Sequence, residues 1–139
     1  MTNKQSKKAF ACKVIKLGKV RDPEIRKMLM REIAVIKMLD HPNTIKIVEV
    51  FQEYKTLYII MELCTGGELF DRLYDQPESR FSETDARVLI TKMLKGLNYL
   101  HLNGIVHRDL KLENYIFTSK EKDAEIKLID FGYSRQYVI

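Results

Sequence analysis

Asp109 sits in the stretch His107-Arg108-Asp109-Leu110-Lys111-Leu112-Glu113-Asn114, with a lysine two residues on and an asparagine closing the run. A second carboxylate stands farther along, in Asp130-Phe131-Gly132. Metal-assisted phosphoryl transfer asks a protein mainly to position groups and to offset charge on the phosphates. Asp109 suits the place beside an attacking hydroxyl, and Lys111 can set an ammonium on the transferring phosphate. Asn114 and Asp130 offer the few hard oxygen donors that magnesium takes while it keeps much of its water. His107, Arg108, Asp109, Leu110 and Asn114 fill every fixed position of the pattern H-R-D-L-x-x-x-N. Average residue usage gives that match by chance on the order of once in 10⁴ chains of this length. The tripeptide at Asp130 is weak alone and strong in this order.

The elements that must hold these residues can be read from periodicity. Ala9–Leu17 alternates apolar and polar, as a strand does. Asp22-Pro23 supplies an N-cap and a first-turn proline. Ile25, Met28, Leu29, Ile33, Ile36 and Leu39 then recur at helical spacing up to Asp40. Thr44–Phe51 and Leu57–Leu63 are expected to form an antiparallel hairpin across the polar connector Gln52–Thr56. Thr65-Gly66-Gly67 breaks the pattern before a short helix over Glu68–Tyr74. Ser82 and Asp85 resemble a capping box ahead of the longest periodic run, Ala86 to Leu100, which Asn103-Gly104 ends. Short strands follow at Ile105–Val106, Tyr115–Thr118 and Ile126–Ile129, the last two joined by the charged turn Ser119–Glu125. That spacing lets a hairpin return Asp130 towards Asn114.

Composition narrows the class. The chain has 139 residues with 24 basic and 19 acidic side chains, a net charge of +5. The excess is uneven: Met1 to Lys37 carries eleven basic and three acidic residues, and the remainder thirteen and sixteen. A solvated, lysine-studded face accounts for this more simply than a nucleic-acid or membrane surface, and no nucleic-acid motif accompanies it. Cys12 and Cys64 stand far apart without a histidine cluster, which argues against a disulfide framework or a zinc site and reads as intracellular. The cytoplasm is expected, with the nucleus as the alternative. No apolar run approaches the roughly 20 residues of a membrane span.

Taken together, these residues resemble a serine/threonine protein kinase, and most closely the calcium/calmodulin- and calcium-dependent protein kinase group. Lysine after His-Arg-Asp-Leu is the serine/threonine form of the loop. Met61–Leu73 (MELCTGGELFDRL), the FSETDA before the long helix and NYLHLNGIVHRDLK ahead of the loop are similar to that group. The resemblance implies an α+β, two-lobed kinase-like fold, with residues 1–61 as a partial small lobe and 62–139 as the hinge and first part of the large lobe. It implies ATP and Mg²⁺ as cofactors and protein substrates with Ser or Thr acceptors. By position, Lys13 resembles the strand lysine on the α and β phosphates, and Glu32 its ion-pair partner. Taken singly, each would read as a solvent-exposed charge. Met61 falls at the gatekeeper, and the Glu62–Cys64 backbone at the hinge that bonds adenine. Ala11 and Ile116 would sandwich the purine, which is compatible with plain core packing. Glu68 would reach the ribose or a basic substrate residue. Arg108 resembles the arginine that meets an activation-loop phosphate, and His107, Phe131, Ile36 and Ile47 match an apolar column between lobes. His41 and His101 read as ordinary turn and helix-end residues.

The sequence also departs from the pattern. No G-x-G-x-x-G precedes Lys13, and no A-P-E element follows Gly132. Leu112 stands where the group usually has proline. The chain is therefore expected to be a fragment, inactive and prone to aggregation by itself, because the apolar face of the Ala86–Leu100 helix would be exposed. Any calcium-sensing region is expected outside it, since no EF-hand loop is present. The alternative function is a non-catalytic, kinase-like scaffold that binds a nucleotide or a partner.

Overall fold

The computed structural model describes residues 1–2 and 8–137, apart from the side chains of Glu32 and Val35. The chain divides into two compact units, one of Met1–Leu39 with Lys46–Leu63 and the other of Asp40–Ile45 with Cys64–Ile139.

The first unit is an antiparallel sheet with one helix. Strands β1 (Phe10–Lys16), β2 (Ile47–Glu53) and β3 (Thr56–Glu62) lie in the order β1-β3-β2. Lys13 pairs with Ile59 and Ala11 with Met61, so these four share one face. Helix α1 (Pro23–Lys37) opens as its sequence predicts, with Asp22 Oδ1 accepting from the Glu24 amide at 2.8 Å. Its apolar stripe buries Ile33 and Ile36, while the sheet buries Leu57 and Ile59. Strand β2 begins at Ile47, later than the expected Thr44, because Thr44 and Ile45 pair elsewhere. The Ile45 amide donates to the Leu128 carbonyl at 2.9 Å. The expected connector also tightens to Tyr54-Lys55, with Tyr54 at φ 51°.

In the second unit, α2 (Leu69–Tyr74) and α3 (Glu83–Leu102) carry two small strand pairs. Ser82 caps α3: its hydroxyl accepts from the Asp85 amide at 3.1 Å and donates to the Asp85 carboxylate at 2.8 Å. Gly104, at φ 68°, turns the chain off the helix as glycine permits. Strand β4 (Ile105–Val106) follows, and strands β5 (Tyr115–Phe117) and β6 (Ile126–Leu128) form the expected hairpin. Strand β4 pairs with β7 (Arg135–Gln136), a strand too short and too polar for periodicity to reveal. Leu100, Phe117, Ile126 and Leu128 form the buried centre.

Candidate active site

The site in the second unit is built on the loop between β4 and β5. Asp109 Oδ2 accepts hydrogen bonds from Lys111 Nζ at 3.0 Å and from Asn114 Nδ2 at 2.9 Å. Asn114 Nδ2 also donates to the Asp109 carbonyl at 2.7 Å, so the amide ties the carboxylate to its own backbone. With Nδ2 committed in this way, Oδ1 is the Asn114 atom left for a hard cation. The Lys111 ammonium and the Asn114 amide hold the Asp109 carboxyl below its ordinary range, and the Lys111 ammonium is pushed up by the same contact. A carboxylate so placed stays ionised and orients a neighbouring hydroxyl more readily than it takes up a proton.

Two further contacts bring in the second carboxylate. The Ile129 amide donates to the Asn114 carbonyl at 2.8 Å, which fixes the residue before Asp130 to the loop between β4 and β5. His107 Nδ1 accepts from the Asp109 amide at 3.3 Å, so its proton lies on Nε2, which donates to the Ile129 carbonyl at 2.9 Å. One fully buried imidazole thus joins the segments that carry Asp109 and Asp130. It also meets Phe131 edge to face at 5.1 Å. These contacts, to two backbone groups and one ring, are structural. Arg108 and Asp130 both adopt left-handed backbone, at φ 68° and 54°. Two such non-glycine residues flanking one site mark strain of the kind that clusters where chemistry is done. Arg108 Nε donates to the Tyr133 carbonyl at 2.6 Å.

The remaining predicted residues divide between the units. Ala11, Lys13, Met61 and Glu62 belong to the sheet of the first unit, where Lys13 is exposed and the other three half-buried. Glu62 Oε1 accepts from the Lys46 amide at 2.7 Å. Glu32 falls within α1, and its side chain, with the proposed ion pair, lies outside the described residues. Ile36 and Ile47 are buried in the first unit, His107 and Phe131 in the second. Cys64, Glu68 and Ile116 belong to the second unit, and Glu68 bridges directly to Ile116.

Sequence reasoning missed a polar network elsewhere in the second unit. Asn43 Nδ2 donates to Glu125 Oε2 at 3.0 Å and to the Ile126 carbonyl at 2.9 Å. Lys92 Nζ meets Glu125 Oε1 at 2.8 Å. Burial works against the charge on Glu125, but the bonds from Lys92 and Asn43 outweigh it and lower the carboxyl. His41 is more than a turn residue. Its Nδ1 accepts from the Asn43 amide at 3.1 Å and its ring stacks on Tyr99 at 4.9 Å. The signal for all of this was His41-Pro42-Asn43, which reads locally only as a helix stop.

The sequence matches the protein kinase domain over residues 1–139, and the chain belongs to that family. Among relatives, it is 43% identical over 136 residues to myosin light chain kinase A of Dictyostelium discoideum, covering 96% of this chain and 44% of the relative. It is 41% identical over 137 residues to calcium-dependent protein kinase 3 of Plasmodium yoelii yoelii, covering 98% of this chain and 24% of that protein. It is 43% identical over 132 residues to calcium/calmodulin-dependent protein kinase type IV of Mus musculus, covering 95% and 27%. The expected resemblance to the calcium- and calcium/calmodulin-dependent kinases is therefore found, and the antiparallel sheet with helices fits a kinase fold. The chain spans less than half the length of these relatives. No described helix is long and apolar enough to cross a membrane.

Proposed function

We propose that the chain carries the catalytic loop of an ATP-dependent serine/threonine protein kinase, which transfers the γ-phosphate of ATP to a Ser or Thr hydroxyl of a protein substrate. The observation that carries the reading is the Asp109–Lys111–Asn114 cluster, with the segment bearing Asp130 bonded to it through Ile129. Asp109 would accept a hydrogen bond from the substrate hydroxyl and orient its lone pair at the γ-phosphorus. Lys111, already beside that carboxylate, would offset charge on the transferring phosphoryl group.

Asn114 and Asp130 have the donor chemistry to hold Mg²⁺, which when bound would neutralise phosphate charge. Lys13, with Glu32 as its partner, would hold the α and β phosphates. Ala11, Met61, Glu62, Cys64 and Ile116 would line the adenine site, with Glu68 on the ribose. Two of the relatives are by name calcium- or calcium/calmodulin-dependent kinases, which supports a calcium-sensing region elsewhere in the whole protein. Mass spectrometry of a Ser/Thr peptide treated with the native-length protein and γ-¹⁸O-labelled ATP tests this directly. Label on a Ser or Thr side chain is expected, and loss of it with Asp109→Asn. Unlabelled peptide alongside normal nucleotide binding would favour the scaffold reading instead.

A further inference from the structure

Arg72, on α2, has no part in the proposed transfer, yet its side chain ties together separate segments of the second unit. Its guanidinium carbon lies 3.6 Å from the centroid of the Phe117 ring, a cation–π contact. From that plane Nη2 donates to the Gly66 carbonyl at 3.3 Å and to the Ser119 carbonyl at 3.0 Å. Nη1 donates to the Glu121 carbonyl at 3.2 Å. One planar fork thus bonds the Thr65-Gly66-Gly67 turn to the far end of β5.

The backbone brings the same segments together. The Gly66 amide donates to the Phe117 carbonyl at 2.9 Å and the Phe117 amide to the Gly67 carbonyl at 3.0 Å. A Cβ on Gly66 would overlap the Ser119 carbonyl oxygen and come within 2.5 Å of Phe117 Cβ. The turn leads directly to Glu68, which bridges to Ile116, and β5 follows directly on Asn114.

We propose that Arg72 is a positioning residue for the nucleotide: it clamps the turn onto β5 so that Glu68 and Ile116 keep their places relative to Asn114. This rests on the reading that Glu68 and Ile116 face ATP. Lysine keeps a cation but cannot reproduce a planar fork that reaches three carbonyls and stacks on a ring. The clamp acts on binding and leaves the Asp109 cluster intact, so its loss is expected in KM rather than kcat.

The test uses the native-length protein with Arg72→Lys and Arg72→Met. In both, KM for ATP is expected to rise about tenfold while kcat changes less than about threefold. Amide hydrogen exchange at Gly66 and Phe117 is expected to quicken without nucleotide, with the Leu100 region of α3 unchanged. KM unchanged with kcat reduced would mean that Arg72 only supports folding, and would overturn the proposal. Exchange unchanged at both amides would overturn the clamp. A wild-type protein that binds no ATP would instead overturn the nucleotide reading, and the exchange measurement would still decide whether Arg72 holds the turn.

Discussion

At Asp109, three hydrogen bonds fix the geometry: two to the carboxylate, from Lys111 and Asn114, and one from Asn114 to its carbonyl. Because the folded carboxyl titrates below its ordinary value of 3.8, Asp109 stays charged throughout the range in which kinases are assayed. The acid limb of a kcat/KM profile should therefore not show an Asp109 protonation at or above about pH 4. Asp109→Asn should lower kcat by roughly 10²–10⁴ with KM for ATP nearly unchanged, as expected when a group acts on the hydroxyl and not on the nucleotide.

His41 gives a second pH dependence of known sign. Burial, and the nearby Lys127 and Lys95, lower its pKa below 6.5. The neutral ring is thus favoured in the folded state, so its stabilisation is complete above about pH 6.5 and is lost as pH falls through the folded value. Thermal melts from about pH 7.5 to 5 should show a falling Tm that His41→Asn flattens. That Asp109, Lys111 and Asn114 come together could be read from spacing because they share one loop. The roles of Asn43 and His41 could not, since their partners Glu125 and Tyr99 are remote in sequence and meet them only through packing.

Elements succeed or fail here according to how local their causes are. The start of α3 was legible because Ser82 and Asp85 satisfy each other within one turn. Ser82→Ala should cost about 1 kcal/mol, measurable by chemical denaturation. Alternation starts strand β2 too early, because it cannot tell which sheet a residue joins. Thr44 and Ile45 have strand-like side chains but lie against Leu128. Strand β7 escapes periodicity for a related reason: two polar residues make a strand only because β4 is there to pair with them. Close approach is equally invisible. Gly96 sits where a Cβ would come 2.8 Å from the Asn43 carbonyl oxygen, so α3 packs on that turn through bare backbone. Gly96→Ala should destabilise by about 1–3 kcal/mol, the usual cost of overpacking, while an Ala at Gly18, whose Cβ would meet the Lys55 side chain at an ordinary 3.6 Å, should not.

For the whole molecule, the sequence was enough for family and fold class, since two motifs in order behind a strand–helix–hairpin pattern seldom coincide by chance. The apolar side chains Ile90 and Leu94 on α3 are 51 and 58% exposed. Four residues apart, they lie on one side of the helix, which favours association. The 139-residue polypeptide is expected to self-associate in sedimentation velocity, and Ile90→Lys with Leu94→Lys to reduce that association.

The bonded set of Asp109, Lys111, Asn114 and the Asp130 segment is tested most directly by single-turnover kinetics. The native-length protein, preloaded with Mg²⁺ and ATP, should phosphorylate a Ser/Thr peptide, while Asp109→Asn should bind ATP with the same affinity and transfer far more slowly. Equal transfer rates in the two proteins would contradict a catalytic role for this set, because the residue around which the whole loop is bonded would then have no part in the reaction.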